Sequence, residues 1–304
     1  MRLLKFVSAL FILFLLFYFS ILSLDALLIF IDNLTFLSIV GLAVLSSFLL
    51  IGTYFRWYFC TKLLSFSIPK RRIFRESAEA YTFGQIIPGQ LGIDGWRILK
   101  LKEFDESSYK KRLLAATIIE KIVALIGQMT ILGIFLAILF HTYIDIAFSD
   151  VVITITLMSC TFLLLSKIVK YFINNKLGIS IESKLAWPIV GLYIYSVSLN
   201  LLACCVLFII SKVILNTGSL SFVATSTAMI ASNLSAAIPL TPNGLGLAEF
   251  VYAKVLVVVG DSTKIDLYGT TYFIYRLCNA LGHVLLYSFS LILGSIDRNV
   301  IYET

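Results

Sequence analysis

Two short stretches place glycine, proline and acid where an apolar chain would otherwise run unbroken. The first, Gln85 to Arg97, contains Pro88, Gly89, Gly92, Asp94 and Arg97. The second, Ile238 to Glu249, contains Pro242, Asn243, Gly244, Gly246 and Glu249. Glycine lacks a Cβ, so a glycine-rich turn can present successive backbone N–H groups to one point. A helix starting just after such a turn adds the positive end of its dipole. Together these suit an anionic group, a phosphate above all. The plainer alternative is a tight turn between packed helices, with Asp94 and Glu249 acting only as acids at helix starts.

Further ionisable residues lie inside apolar stretches. Glu120 and Lys121 sit about two turns into one of them. A charge near the middle of a membrane costs about 2.5–3.5 kcal/mol on insertion scales, so each needs a partner or a task. Neighbours on a helix point about 100° apart, so the two cannot simply pair with each other, and each is expected to face another segment. Arg276 shares one helix face with Asn279 and His283, at i+3 and i+7. It suits phosphate or carboxylate recognition, or an ion pair with Glu249 or Glu120. His283 reads as a satisfied core histidine or a proton carrier.

Enzyme chemistry finds little support. Neither glycine stretch is followed by the Gly-Lys-Ser/Thr of a P-loop. Asp94-Gly95-Trp96-Arg97 lacks the downstream acid pair that a metal-dependent phosphotransferase needs. The five cysteines show no ligand spacing. The expectation is a protein that is not an enzyme and uses no cofactor or metal.

The elements that must position these residues follow from composition. Of the 304 residues, 60% are apolar and 13% charged, against a soluble norm of roughly 45–50% apolar. Apolar blocks close to bilayer length predict spans at about 3–24, 36–55, 113–140, 150–168, 187–211 and 271–293. The two broken segments occupy about 73–96 and 219–260. The net charge of +7 does not point to nucleic acid, because the basic residues gather at span ends. Arg56, Lys62, Lys70, Arg71, Arg72 and Arg75 precede the first broken segment, and Arg97, Lys100, Lys102, Lys110, Lys111 and Arg112 follow it. Both flanks are therefore expected in the cytoplasm, with both termini. The first broken segment then enters and leaves on one side. The second has both flanks outside, and its first leg is expected nearly to span, so it is either re-entrant or a hairpin of two short spans.

Three full crossings per half would turn the second half upside down relative to the first. The predicted fold is an all-α polytopic membrane bundle, a single domain over 1–304. It is an inverted repeat of three spans plus one broken re-entrant hairpin per half, with halves at about 1–147 and 148–304. Matched broken segments in two halves are a transporter signature.

The quoted residues resemble the transmembrane region of lysylphosphatidylglycerol synthases, a flippase-like family of membrane proteins, over nearly the whole chain. The family usually reads Pro-Gly-x-x-Gly-Gly-Asp-x-x-Arg, Glu-Arg and Thr-Pro-Gly-Gly-x-Gly-x-x-Glu. Ile93, Lys121 and Asn243 depart from that pattern. The resemblance implies the lipid-translocating part without a soluble domain to transfer lysine. It implies a bacterial plasma membrane, and a lipid cargo with a polar head group, either an aminoacyl-phospholipid or a polyprenyl-linked glycolipid. Gly89, Gly92, Gly244 and Gly246 would donate N–H groups, Arg97 and Arg276 would bind phosphate, and Glu120 and Glu249 would bind a cationic group or cycle protons. An enzyme or accessory subunit of glycolipid assembly is the competing reading. The expected partners are a membrane lipid and the bilayer.

Overall fold

The computed structural model describes residues 22–33, 35–64, 68–83, 91–100, 107–144, 186–215, 220–238, 244–260 and 264–302, with 167, 171 and 175 as isolated positions. Among them the chain is helical throughout. The elements are α1 (Leu24–Asp32), α2 (Phe36–Leu63), α3 (Lys70–Phe83), α4 (Leu91–Lys100), α5 (Ser107–Ile144), α6 (Ala186–Leu215), α7 (Phe222–Ala236), α8 (Leu247–Gly260) and α9 (Ile265–Tyr302). The expected spans at 3–24 and 150–168 fall almost wholly outside the described residues. So do the tips of both broken segments, with Pro88, Gly89, Pro242 and Asn243.

Among the described residues, three helices are long and apolar enough to cross a membrane: α2 over Val40–Leu63, α5 over Lys111–Leu139 and α6 over Pro188–Lys212. Phe48, Val258 and Ile292 are exposed, a surface that suits an apolar solvent. Hydroxyls inside this surround donate to their own helix. Thr225, Thr227 and Ser232 of α7 bond the carbonyls of Ser221, Val223 and Ala228, four residues back, which gives those O–H groups an acceptor, while the Ser226 hydroxyl on the same helix is buried without one.

Two boundaries differ from the sequence reading. A short helix, α1, stands where a loop was expected. Ser23 caps it by accepting from the N–H of Ala26, Asp25 lies in its first turn, and the Ser23 N–H is tied to Thr270 of α9 at 2.7 Å. That cap is a helix-start signal in the sequence itself. Helix α2 does not stop at 55 but runs on to Leu63. Arg56 is therefore not a loop charge: it lies within the helix, where an ion pair compensates it.

Both broken segments consist of short helices. The first has α3 and α4, of 14 and 10 residues, or about 21 and 15 Å. The second has α7 and α8, of 15 and 14 residues, or about 22 and 21 Å, each short of a hydrocarbon core of about 30 Å. The first leg of the second segment is thus shorter than expected. Its apolar run continues past Ala236, but the helix ends there and the turn against Gly244 follows.

The largest core joins α6, α7, α8 and α9 with parts of α2 and α5, around Leu207, Ile210, Tyr252 and Tyr272. A second core joins α2, α3 and α5 around Trp57, Ile73, Leu113 and Ile119. Helix α9, with 38 residues, is about 57 Å long. It packs on α8 in one direction and on α2 and α3 in the other.

Candidate functional site

The charged residues singled out from sequence form two groups. In the first, α4 lies against α5 and the end of α2. Arg97 is wholly buried and donates through Nη1 to Glu120 Oε2 at 3.0 Å, with Glu120 equally buried. Arg56 reaches the other oxygen of Glu120 at 3.4 Å. Lys121 turns to Asp94, 3.2 Å away, while Asp94 is 3.9 Å from Arg97. Glu120 and Lys121 thus face different partners, as their divergence on the helix requires. Arg97 lay among the loop charges of the topology count; burial places it inside the bundle instead.

The Arg97 guanidinium is also held between two aromatic faces, 4.8 Å from the ring centres of Trp57 and Tyr81. Such contacts partly replace lost hydration of a cation. Among the described residues, three cations and two carboxylates make up this group. Among the described residues, Arg97 Nε and Nη2 and Arg56 Nε are buried without a hydrogen-bond acceptor. Buried donors left this way are costly, and more so on a charged group. The base of the hairpin is closed by Glu79 of α3, which accepts from Lys100 at 2.7 Å and from Trp96 at 3.2 Å on α4.

The second group sits where α8 begins. Gly244 and Gly246 have φ of 72° and 89°, values that glycine adopts without strain. A Cβ on Gly244 would lie 2.5 Å from the Cα of Ala236, so the turn can close against α7 only with glycine there. Glu249 follows three residues after Gly246. Its Oε2 accepts from the Gly246 N–H at 2.7 Å, half of a capping box. Its Oε1 pairs with Arg276 at 2.7 Å. Arg276 also approaches the Gly244 carbonyl, at 3.4 Å. The Gly246 N–H, expected to face a head group, is occupied by the protein's own carboxylate. Gly92 lies buried in the first turn of α4.

Helix α9 connects the groups. Seven residues beyond Arg276, His283 Nδ1 shares a hydrogen bond of 2.7 Å with the Tyr54 hydroxyl. Its ring stacks on Tyr81 at 4.5 Å. Tyr81 therefore has His283 beside it and Arg97 over its face. The histidine is a satisfied core residue.

With this geometry in view, residues 3–286 match the family model of the lysylphosphatidylglycerol synthase transmembrane region. The chain belongs to this family. No curated protein and no solved structure matches it. Within this lysylphosphatidylglycerol synthase transmembrane region, Asp94, Arg97, Glu120 and Lys121 meet in one place, and Gly244, Gly246, Glu249 and Arg276 in another. Sequence reasoning missed Arg56, Trp57 and Tyr81. Arg56 gave a signal, as a cation at the edge of an apolar run with an unpaired acid elsewhere. Trp57 and Tyr81 gave none, because aromatic residues are common throughout the chain.

Proposed function

We propose that this membrane protein is a lipid carrier, which passes the polar head group of a lipid across the plasma membrane while the acyl tails stay in the bilayer. One observation carries this reading: the buried group around Arg97, with a cation in excess and guanidinium N–H groups lacking acceptors. An anionic head-group phosphate supplies the missing charge and acceptors at once. Arg97 and Asp94 stand on the second leg of a broken membrane segment, and transporters build cargo sites from such discontinuous helices. An inverted repeat, with cytoplasmic termini and basic flanks, fits the charge pattern. Arg97 and Arg56 contact phosphate in this scheme. Glu120 holds both guanidiniums when cargo is absent, and Lys121 holds Asp94. An aminoacyl-phospholipid and a polyprenyl-linked glycolipid both carry the required phosphate.

The test uses purified protein in liposomes with a head-group-labelled lipid. Translocation without ATP is expected, with the recovered lipid chemically unchanged by mass spectrometry. Arg97→Lys keeps the charge but loses the planar fork, and should slow translocation by at least about tenfold. A changed head group or a lost phosphate would instead identify an enzyme of glycolipid assembly. Wild-type translocation by Arg97→Lys would remove Arg97 from the cargo site.

A further inference from the structure

Away from the buried charges, α2 and α3 leave a cleft of about 190 Å³ between them. Its walls are Tyr54, Phe55 and Tyr58 from α2 and Phe74 from α3, with Lys70 and Arg71 at one end. The lining is aromatic, and Phe55 is itself exposed, so the cleft opens onto the outer surface of the bundle. The volume falls below the roughly 300 Å³ at which pockets for soluble small molecules begin. A stretch of hydrocarbon chain fits it better than a whole soluble ligand.

The rim is strongly basic. The ammonium groups of Lys62 and Lys70 both lie over the Tyr58 ring, at 5.7 and 5.8 Å. Neither forms an ion pair among the described residues. Helix α3 opens with Lys70, Arg71 and Arg72 and has no acid in its first turn, an arrangement its dipole disfavours. Glu76, the nearest acid along α3, pairs with Arg75 at 3.0 Å. Like charges thus converge at the mouth of an apolar cleft on a membrane protein. An anion attached to an acyl chain satisfies both features.

We propose that this cleft binds an anionic phospholipid, with one acyl chain between α2 and α3 and its phosphate on Lys62 and Lys70, the two cations over the Tyr58 ring. The bound lipid is a fitted component rather than the cargo. It fills the seam between α2 and the first leg of the broken segment. Tyr54, on the cleft wall, also bonds His283, so the lipid borders the layer that covers Arg97. This site is independent of whether the protein moves lipid.

The test is photolabelling in nanodiscs of phosphatidylcholine, doped with either phosphatidylglycerol or phosphatidylcholine carrying a diazirine on one acyl chain. Labelled residues are located by peptide mass spectrometry. Labelling of α2 and α3 at the cleft should be several-fold greater with phosphatidylglycerol. Lys62→Gln with Lys70→Gln should cut it about thirtyfold, given about 1 kcal/mol for each basic residue at an anionic surface. Phe74→Trp should also cut it, by filling the cleft with the rim charges intact. Equal labelling by the two lipids overturns the proposal, and this comparison needs no variant. Undiminished labelling in the folded double variant overturns it too. Displacement of the lipid from wild-type protein by excess inorganic phosphate would mean a site for a free anion, and equally defeats it.

Discussion

The two charged groups start from similar ingredients and end differently. Each joins an acid near a glycine-containing helix start to an arginine. Around Glu249 the result is closed: one acid, one arginine, both carboxylate oxygens used, one of them capping its own helix. Around Glu120 it stays open: five charges from α2, α4 and α5, a cation in excess, and guanidinium N–H groups without acceptors. What separates them is the number of helices contributing. Two elements can satisfy each other completely, whereas three bring more donors than two carboxylates can accept. The closed group therefore reads as a fastening, and the open one as a place for a ligand.

The comparison can be broken by measuring stability in detergent. Glu120→Gln leaves two guanidiniums without their anion, one of them fully buried. It should cost about 3–5 kcal/mol, the range for breaking a buried pair by removing one partner. Glu249→Gln should cost less, about 1–3 kcal/mol, because Arg276 is partly exposed and keeps the Gly244 carbonyl. Apparent melting temperatures of the two variants decide it. A larger drop for Glu249→Gln would reverse the assignment of open and closed groups.

Glycine sharpens the contrast. Gly244→Ala should destabilise by at least about 1–2 kcal/mol from its left-handed backbone alone, before the contact with Ala236. A Cβ on Gly95, in α4, meets nothing within 4 Å. Gly95→Ala should be neutral, or stabilising by up to about 1 kcal/mol through helix propensity. Comparable losses for both would mean that the second turn is not specially constrained.

The smallest expected loss of stability concerns α9. Tyr54→Phe removes the hydroxyl that partners His283, and should cost about 0.5–1.5 kcal/mol. Thermal unfolding beside Glu249→Gln would show whether α9 is held more firmly at its Arg276 end.

Much of the helical architecture was legible because it depends on local pattern. Apolar blocks near bilayer length gave α5, α6 and the body of α2, and the Pro and Gly interruptions located both short-helix segments. Glu120 and Lys121 stood out because a charge inside an apolar run is costly wherever it ends up. Pairing was less legible. Nothing in the order of residues says that Glu120 meets Arg97 rather than Arg276, since that choice depends on how α4 lies against α5. The basic flanks also misled in detail. Counting cations as loop markers works for solvated charges, but Arg56 lies within α2 and Arg97 within α4, and both turn inward to an acid.

The length of α9 has a mechanical consequence. A stiff rod pinned to two bodies makes them travel together for as long as both pins hold. Arg276 pins it to α8, and His283 pins it to α2 and α3, about 10 Å further along. Any rocking of one body against the other must shear one pin. The ion pair is the stronger, so slip begins at the histidine, against the aromatic layer that roofs Arg97.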